Sequence, residues 1–590
     1  MTEPTPRTLV DLVARTVARH PHAPAVRDAD KQLDYTQLTA AAAALAATLA
    51  EAGVGPEDRV GIYLPRSADV VVAVLGVLTA GAAYVPVDDK YPDARRDHLL
   101  GSAGPRVVLT APGWAARLAH LGLPVLEWDG GLAAETGEAP AVRISGTHAA
   151  CVLFTSGSTG EPKGVVLEHR QMAAFALDPA LPELGPGERT AQASGISFDT
   201  FTFEVWRSLA GGAEIVVVPS IPELMSADLR KELRRRRITA MLAPAIALNH
   251  VTRYDREAFS SLSLLCSGGD VLLPQTCAEL RAGGFTGRLF NLYGPTETTV
   301  ACSGQPIGDE PDYAGQVPIG HEFAGARLSV LDEQLREVAP GEPGELYVGG
   351  AGVGRGYLDR PDHTAVRFVP DPRSGPGARQ YATGDRVRRR ADGALEYLGR
   401  ADAQVKIRGV RVEPREVERV LCTHPDLREA AVVAEGEAGD RRLVAAVVPD
   451  SERVKLRAVR EFLAAEVPEQ LVPAEFVVLE AMPLDAHGKR DLAALGALIR
   501  DRANRRAPYV PAGTDTERFL AGLWEDLLAV EGIGRDDDFF TLGGHSLLAV
   551  RVRMALQRKL NVTVSPESLF ANSVLSEQAS MVDEAAAVVR

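Results

Sequence analysis

The feature that most restricts this chain is an alternation that runs through roughly its first 400 residues. Apolar β-branched runs are followed by Ala/Leu-rich runs of helical length: RVGIYL, then SADVVVAVLGVLTA, then AAYVPV. A chain written this way buries its strands between helices, and the expected fold class is α/β in layers with largely parallel sheets. The most apolar stretch, Val70 to Val87, approaches the length of a membrane span. Gly81 and Pro86 interrupt it, so it reads as a buried helix, a turn at Gly81 and a short buried strand. The N-terminus has no basic segment followed by an apolar one, and no secretory leader is expected. With 46% hydrophobic and 24% charged residues the chain is not disordered throughout. Its 590 residues suggest roughly four folding units. A net charge of −15 disfavours nucleic acid as the main partner, since phosphate backbones need a basic field. Five scattered cysteines (Cys151, Cys266, Cys277, Cys302 and Cys422) form no zinc spacing and suggest a reduced, cytoplasmic protein.

The texture changes after Gly399. GRADAQVKIRGVRVEPREVERVL is charged, then strand-like, then helical, and VVAEGEAGDRRLVAAVVPD reads as a hairpin. A small α+β unit is expected over 402–500, following a core over 1–401. The polar, Pro-punctuated stretch around Pro508 and Pro511 reads as a linker over 501–514. Four short helical patterns then fill 515–590: TERFLAGLWEDLLAV, SLLAVRVRMALQRKL, SPESLF and SVLSEQASMVDEAAAVV. The Ala-rich TAAAALAATLAEAG reads as a helix, because Ala has the highest helix propensity.

Three segments carry chemistry. FTSGSTGEPKGV, Phe154 to Val165, follows the apolar strand AACVLF. Its backbone N–H groups and hydroxyls can hold phosphate oxygens, and Lys163 adds charge. It lacks the GxxxxGK[ST] pattern of a Walker loop, and taken alone it reads equally well as a flexible surface loop. In NLYGPTETTV, Asn291 to Val300, Tyr293 can stack on a base and Glu297 can hold Mg²⁺. By itself this is also an ordinary turn before a helix capped by Thr296. YATGD, Tyr381 to Asp385, reads as a turn presenting Asp385, a natural acceptor for two ribose hydroxyls; alone, it reads better as a plain hairpin turn.

Together and in this order, these segments resemble the adenylate-forming enzymes, and more closely the amino-acid adenylation domains of nonribosomal peptide synthetases. Six further blocks extend the resemblance along nearly the whole chain: LDYTQL, LTAGAAYVPVD, SFDTFTFE, GELYVGGAGVGRGYL, EYLGRADAQVKIRGVRVE and MPLDAHGKRDLAAL. The resemblance implies an adenylate-forming fold with a large core of layered α/β subdomains, a small α+β C-terminal subdomain and a four-helix carrier domain. It also implies residue roles. Thr155, Ser156, Gly157 and Gly160, with Ser158 and Thr159, hold the phosphates of ATP. Asn291 and Tyr293 contact adenine, Asp385 the ribose, and Thr296 and Tyr397 complete the nucleotide site. Glu297 binds Mg²⁺, and Arg400 sits near ribose and phosphate. Asp402 is the hinge. Lys489 bridges the substrate carboxylate and the phosphate region, and Thr155, Lys163 and Arg400 join it in catalysis. Lys489 in isolation would pass for a solvated surface lysine.

DDDFFTLGGHSLLAV places Ser546 at the start of a predicted helix. A serine there can be a simple cap. In a small helical unit it resembles a peptidyl carrier, and Ser546 is then the attachment point of 4′-phosphopantetheine. Leu548 stands where a GxSxG elbow needs glycine, which argues against a thioesterase. The sequence departs from the family at Gln470 and Leu471, where Tyr and Met are usual, and at His487, where asparagine is usual. Lys489 survives these changes, so the departures bear on the small subdomain's contacts.

The family alignment lines an amino-acid pocket with Asp199, Thr200, Phe203, Ala245, Leu265, Ser267, Leu292, Val300 and Ala301. Asp199 would pair with the substrate ammonium. The rest carries no charge, so a neutral, mainly apolar side chain is expected, branched aliphatic first and phenylglycine-like second. The whole reads as a free-standing adenylation–carrier didomain. It activates an amino acid with ATP and Mg²⁺ and loads it as a thioester on its own carrier, in nonribosomal peptide or amino-acid-derived natural-product biosynthesis. No HHxxxDG condensation motif is present, so it loads a residue without joining two. Expected partners are the amino acid, a phosphopantetheinyl transferase and a downstream condensation or tailoring enzyme; family analogy adds an MbtH-like helper. No membrane is involved. The rival readings are an acyl- or aryl-CoA ligase, against which the C-terminal LGGHS unit argues, and a non-enzymatic carrier scaffold, against which Lys489, Asp385 and Glu297 argue.

Overall fold

The computed structural model describes the chain outside residues 1–6, 131–139, 158–159, 310–312, 314, 402–403, 408, 437–440, 451–453, 455, 484–490, 504–508, 529, 540–541, 543, 545, 566–567, 570–571 and 590. Two large mixed sheets carry the core. In the seven-stranded sheet, strands Arg59–Tyr63, Ala83–Pro86, Val107–Thr110, Val125–Glu127 and Ala149–Thr155 run parallel, and antiparallel strands Lys163–Glu168 and Gly356–Tyr357 close one edge. In the nine-stranded sheet the parallel strands include Arg189–Gln192, Ala240–Pro244, Leu264–Gly268 and Arg288–Tyr293. A third, five-stranded sheet built on Pro343–Gly350 and Arg379–Arg389 is antiparallel throughout. The parallel α/β layers follow from the alternation; this third sheet is an architecture the alternation did not separate.

The segment that mimicked a membrane span folds as read: helix Ala68–Thr79, a left-handed Gly81 at φ 89°, and buried strand Ala83–Pro86. Among the described residues no helix is long and apolar enough to cross a membrane. The Ala-rich run forms helix Tyr35–Glu51, opened by a capping box between Asp34 and Gln37. It packs against Ala68–Thr79 so closely that a Cβ on Gly76 would lie 2.8 Å from Leu45 Cδ2, so glycine is what admits the contact.

The C-terminal subdomain holds a short hairpin, Val405–Ile407 with Val410–Val412, and a three-stranded sheet whose first pair, Leu427–Glu435 and Arg442–Pro449, is the expected hairpin. Its helix Leu492–Ala503 runs into the stretch read as linker. Gln470 and Leu471 lie in a 3₁₀ turn, with Leu471 buried. The carrier's described helices are Asp515–Leu528, Ser546–Leu560 and Leu575–Val589. The short pattern SPESLF falls partly outside the described residues. Trp524 and Phe539 centre the carrier core, ring centroids 5.0 Å apart, and Trp524 Nε1 donates to Gln578 Oε1 at 3.1 Å. All five cysteines are free.

Candidate active site

The glycine-rich loop leaves strand Ala149–Thr155 and returns as the antiparallel strand Lys163–Glu168, with Thr155 paired to Lys163. A Cβ on Gly157 would fall 1.9 Å from the Glu161 carbonyl oxygen, and Gly160 has φ 82°, so this tight cradle requires glycine at both positions. Lys163 is buried, its Nζ 5.1 Å from the Tyr357 ring centroid, and burial pushes its ammonium below the usual lysine range. Ser158 and Thr159 lie outside the described residues.

The small subdomain covers this loop. Ser156 Oγ donates to the Arg411 carbonyl at 2.7 Å, and Arg419 Nε donates to the Gly160 carbonyl at 3.1 Å. Arg95 of the core pairs with Glu416. A Cβ on Gly269 of the core would meet the Gly409 carbonyl oxygen at 3.3 Å, so two glycines let the hairpin turn approach the core.

Glu297 is buried in the 3₁₀ turn Thr296–Thr298. Pro295 rather than Thr296 takes the cap position, which corrects the capped-helix reading: Pro295 supplies the extended backbone, and the Thr296 hydroxyl instead donates to Asp199 Oδ2 at 2.5 Å. One Glu297 oxygen accepts from Tyr357 at 2.8 Å, and the other from Arg411 Nη1 at 3.2 Å. Burial alone would raise this carboxyl. The Arg411 charge and the Tyr357 hydrogen bond outweigh it and hold the group below the ordinary value.

Asp385 is buried and accepts from Arg400 Nη1 at 2.6 Å and from the Tyr293 hydroxyl. YATGD is not a turn: residues 381–385 lie inside strand Arg379–Arg389. Opposite it the register slips between Glu345 and Tyr347, and Gly384 takes φ 73°. A bulge at a left-handed glycine therefore presents Asp385 from within a strand. Asn291 donates its amide to the Val317 and Pro318 carbonyls at 3.4 and 2.8 Å, which ties down the loop beside the site.

Lys406, to which the sequence reading gave no role, reaches the same place. Its Nζ lies 5.5 Å from the Tyr293 ring centroid and 5.7 Å from that of Tyr397. Burial pushes its ammonium down, while Asp385 and Asp270 pull it back up. Lys406 and Arg411 thus bring two cations of one hairpin to the two carboxylates, Asp385 and Glu297, that sequence reasoning had singled out. The signal was present in QVKIRGVRV, where a lysine and arginines alternate with β-branched residues.

The pocket residues divide. Asp199 precedes the turn Thr200–Thr202, which runs into a π-helical stretch, Phe203–Arg207, an irregularity common at functional sites. Burial raises the Asp199 carboxyl, and the Thr296 hydrogen bond opposes the shift. Phe203, Leu292, Val300 and Ala301 meet in one apolar cluster. Ala245 and Leu265 belong to a different cluster. Ser267 is buried, and its Oγ makes no hydrogen bond among the described residues. Asp402 and Lys489 lie outside the described residues. Helix Ser546–Leu560 begins at the expected attachment serine and packs against the core helix Ile221–Ala227.

A glycine-rich loop, two buried carboxylates, a small subdomain resting on both and a helical carrier define an adenylation–carrier protein. The chain belongs to the AMP-binding enzyme family, whose profile matches residues 13–358. The AMP-binding enzyme C-terminal domain matches 416–489, and the phosphopantetheine attachment site matches 518–582. The dimodular nonribosomal peptide synthase of Bacillus subtilis is 36% identical over 590 residues, 98% of this chain and 24% of that protein. Phosphinothricin tripeptide synthetase PhsC of Streptomyces viridochromogenes is 37% identical over 582 residues, 97% of this chain and 52% of that protein. The chain therefore spans at most about half the length of these two relatives. Among solved structures, holo-PA1221, a nonribosomal peptide synthetase protein with adenylation and carrier domains bound to a vinylsulfonamide inhibitor, superposes at TM-score 0.82 with 29% identity. It covers 98% of this chain and 97% of that one. The four-domain synthetase holo-AB3403, bound to AMP and glycine, gives TM-score 0.60 at 29% identity, covering 98% and 42%.

Proposed function

We propose that this chain activates a neutral, mainly apolar α-amino acid with ATP and transfers the activated residue to its own carrier at Ser546. The observation that carries the reading is the seating of both the small subdomain and the carrier on one core, with the helix that opens at Ser546 packed against it. Activation joins the amino-acid carboxylate to the α-phosphate of ATP and releases pyrophosphate. The glycine-rich loop would hold the phosphates, and Asp385 the ribose. Among the described residues no three His, Cys, Asp or Glu side chains cluster to hold a metal. Glu297 would therefore bind Mg²⁺ together with phosphate oxygens, as Mg²⁺ prefers; the bound ion would neutralise phosphate charge. The phosphopantetheine arm, once attached, would supply the thiol that takes the aminoacyl group as a thioester, breaking the acyl–phosphate bond and releasing AMP. Such chemistry in the cytoplasm needs a phosphopantetheinyl transferase to prepare Ser546 and a downstream condensation or tailoring enzyme to use the product. Family analogy adds an MbtH-like helper.

Asp199 beside the apolar cluster of Phe203, Leu292, Val300 and Ala301 supports a substrate with an ammonium and an uncharged side chain. A charged side chain buried there would have no counter-ion, which strongly disfavours it. A panel of amino acids in ATP–pyrophosphate exchange tests this. Branched aliphatic residues are expected to exchange fastest, with phenylglycine-type residues next. Discrimination between homologues one methylene apart should be only about 10- to 200-fold. An acidic or basic optimum overturns the pocket, and a glycine or serine optimum shows it to be smaller. Exchange with carboxylic acids but no amino acid would favour a CoA ligase.

A further inference from the structure

The carrier meets the core through more than backbone packing. On helix Ser546–Leu560 the Arg551 side chain leaves its own domain and lies over the ring of Tyr254, its guanidinium carbon 3.6 Å from the ring centroid. Tyr254 closes the core helix Ala245–Tyr254 and is 51% exposed, so its ring is a surface group offering one face to a partner. A guanidinium stacked on an aromatic face is attracted by the ring's negative quadrupole. Arg551 Nη1 is buried and makes no hydrogen bond among the described residues, so the ring is the contact that accounts for its place. The site also suits a cation because the last carbonyls of a helix carry partial negative charge.

The neighbouring groups bear on the contact in both directions. His250, one turn earlier, has its ring 5.1 Å from that of Tyr254, and burial, with Arg551 and Arg253 adding to it, pushes its imidazole down to about 4. It is neutral near pH 7 and does not repel the arginine, whereas Arg253 does oppose it. The Asp538 charge of the carrier also acts favourably on Arg460 of the small subdomain. The carrier is thus held on the core by helix packing and by this stack. Arg551 lies five residues after Ser546, about 7.5 Å along the same helix, so fixing Arg551 fixes the helix that begins at the attachment residue.

We propose that the Arg551–Tyr254 stack is the positioning contact that seats the carrier on the core for loading, and that the face of the core around Tyr254 is a docking surface for this chain's own carrier. The proposal rests on the loading reading above. The test uses the full holo chain and follows pyrophosphate exchange, modification of Ser546 by a phosphopantetheinyl transferase, and single-turnover loading by intact-protein mass spectrometry. Arg551→Ala is expected to exchange and to be modified like wild type while loading about 3- to 30-fold more slowly. Arg551→Lys should recover part of the loss. Tyr254→Ala should match Arg551→Ala, Tyr254→Trp should load normally, and the double alanine variant should be no slower than either single one, because each removes the same contact. Undiminished loading by Arg551→Ala, or losses that multiply in the double variant, overturns the proposal. If Arg551→Ala is not modified, its carrier has misfolded, and Tyr254→Ala, which leaves the carrier untouched, decides. A wild-type chain that exchanges but never loads overturns the loading reading, and with it this contact.

Discussion

Ser546→Ala is expected to exchange pyrophosphate at the wild-type rate and to carry no amino acid at all. The two halves of this result come from different parts of the molecule. The groups proposed to handle ATP lie in the core and in the small subdomain, and none of them is on the carrier. The carrier's own fold depends on Trp524, Phe539 and their apolar neighbours. Removing one hydroxyl at a helix start costs at most a cap, about 0.5–2 kcal/mol, which leaves the core domain unaffected. What is lost is the oxygen proposed to carry phosphopantetheine, so the expected effect on loading is complete and not graded. Intact-protein mass spectrometry after treatment with a phosphopantetheinyl transferase reads it directly. A pantetheine-sized gain on the variant would show that another residue is the attachment point.

How much of this was legible in the sequence follows from how local each signal is. The span-like segment was correctly resolved into helix, turn and strand because Gly81 and Pro86 act within a few residues of where they stand. The hairpin over 427–449 was legible for the same reason. YATGD was misread because a bulge and a turn use the same residues. Whether Gly384 bends a strand or ends one depends on Pro343–Gly350, the strand across from it, far away in the chain. The capped-helix alternative for Thr296 could not be settled locally, because its hydrogen-bond partner, Asp199, is 97 residues away and brought near only by the fold. Lys406 and Arg411 were overlooked for a related reason. A cation on a short hairpin is by default solvated, and only the docking of the small subdomain gives it carboxylates to meet. The division of the pocket residues between two clusters also follows strand alternation: Leu264 and Cys266 face one way and Leu265 the other, so one step of register decides which cluster a side chain joins.

Lys489→Ala is expected to cripple adenylate formation and to spare loading. The reasoning starts from charge. Joining a carboxylate to a phosphate brings two anionic groups together, and a cation held between them is needed only while that bond forms. Removing one such pre-positioned donor typically costs about 2.7–4 kcal/mol, or roughly 100- to 1000-fold in rate. Among the described residues, the cations of the small subdomain that reach Asp385 and Glu297 are Lys406 and Arg411. If the subdomain turns between half-reactions, Lys489 serves the first and Lys406 the second, so the two substitutions should have opposite signatures. Lys489→Ala should lose exchange and load normally when given preformed aminoacyl-adenylate. Lys406→Met, which keeps the apolar stem between Tyr293 and Tyr397, should exchange normally and load slowly. Asp385 keeps Arg400 and Tyr293 as partners in that variant, so its carboxylate is not left bare and the site should hold its shape. Equal losses in both half-reactions for Lys489→Ala would make that lysine structural. Slowed exchange in Lys406→Met would show that the hairpin stays in the site during activation and that the subdomain does not turn.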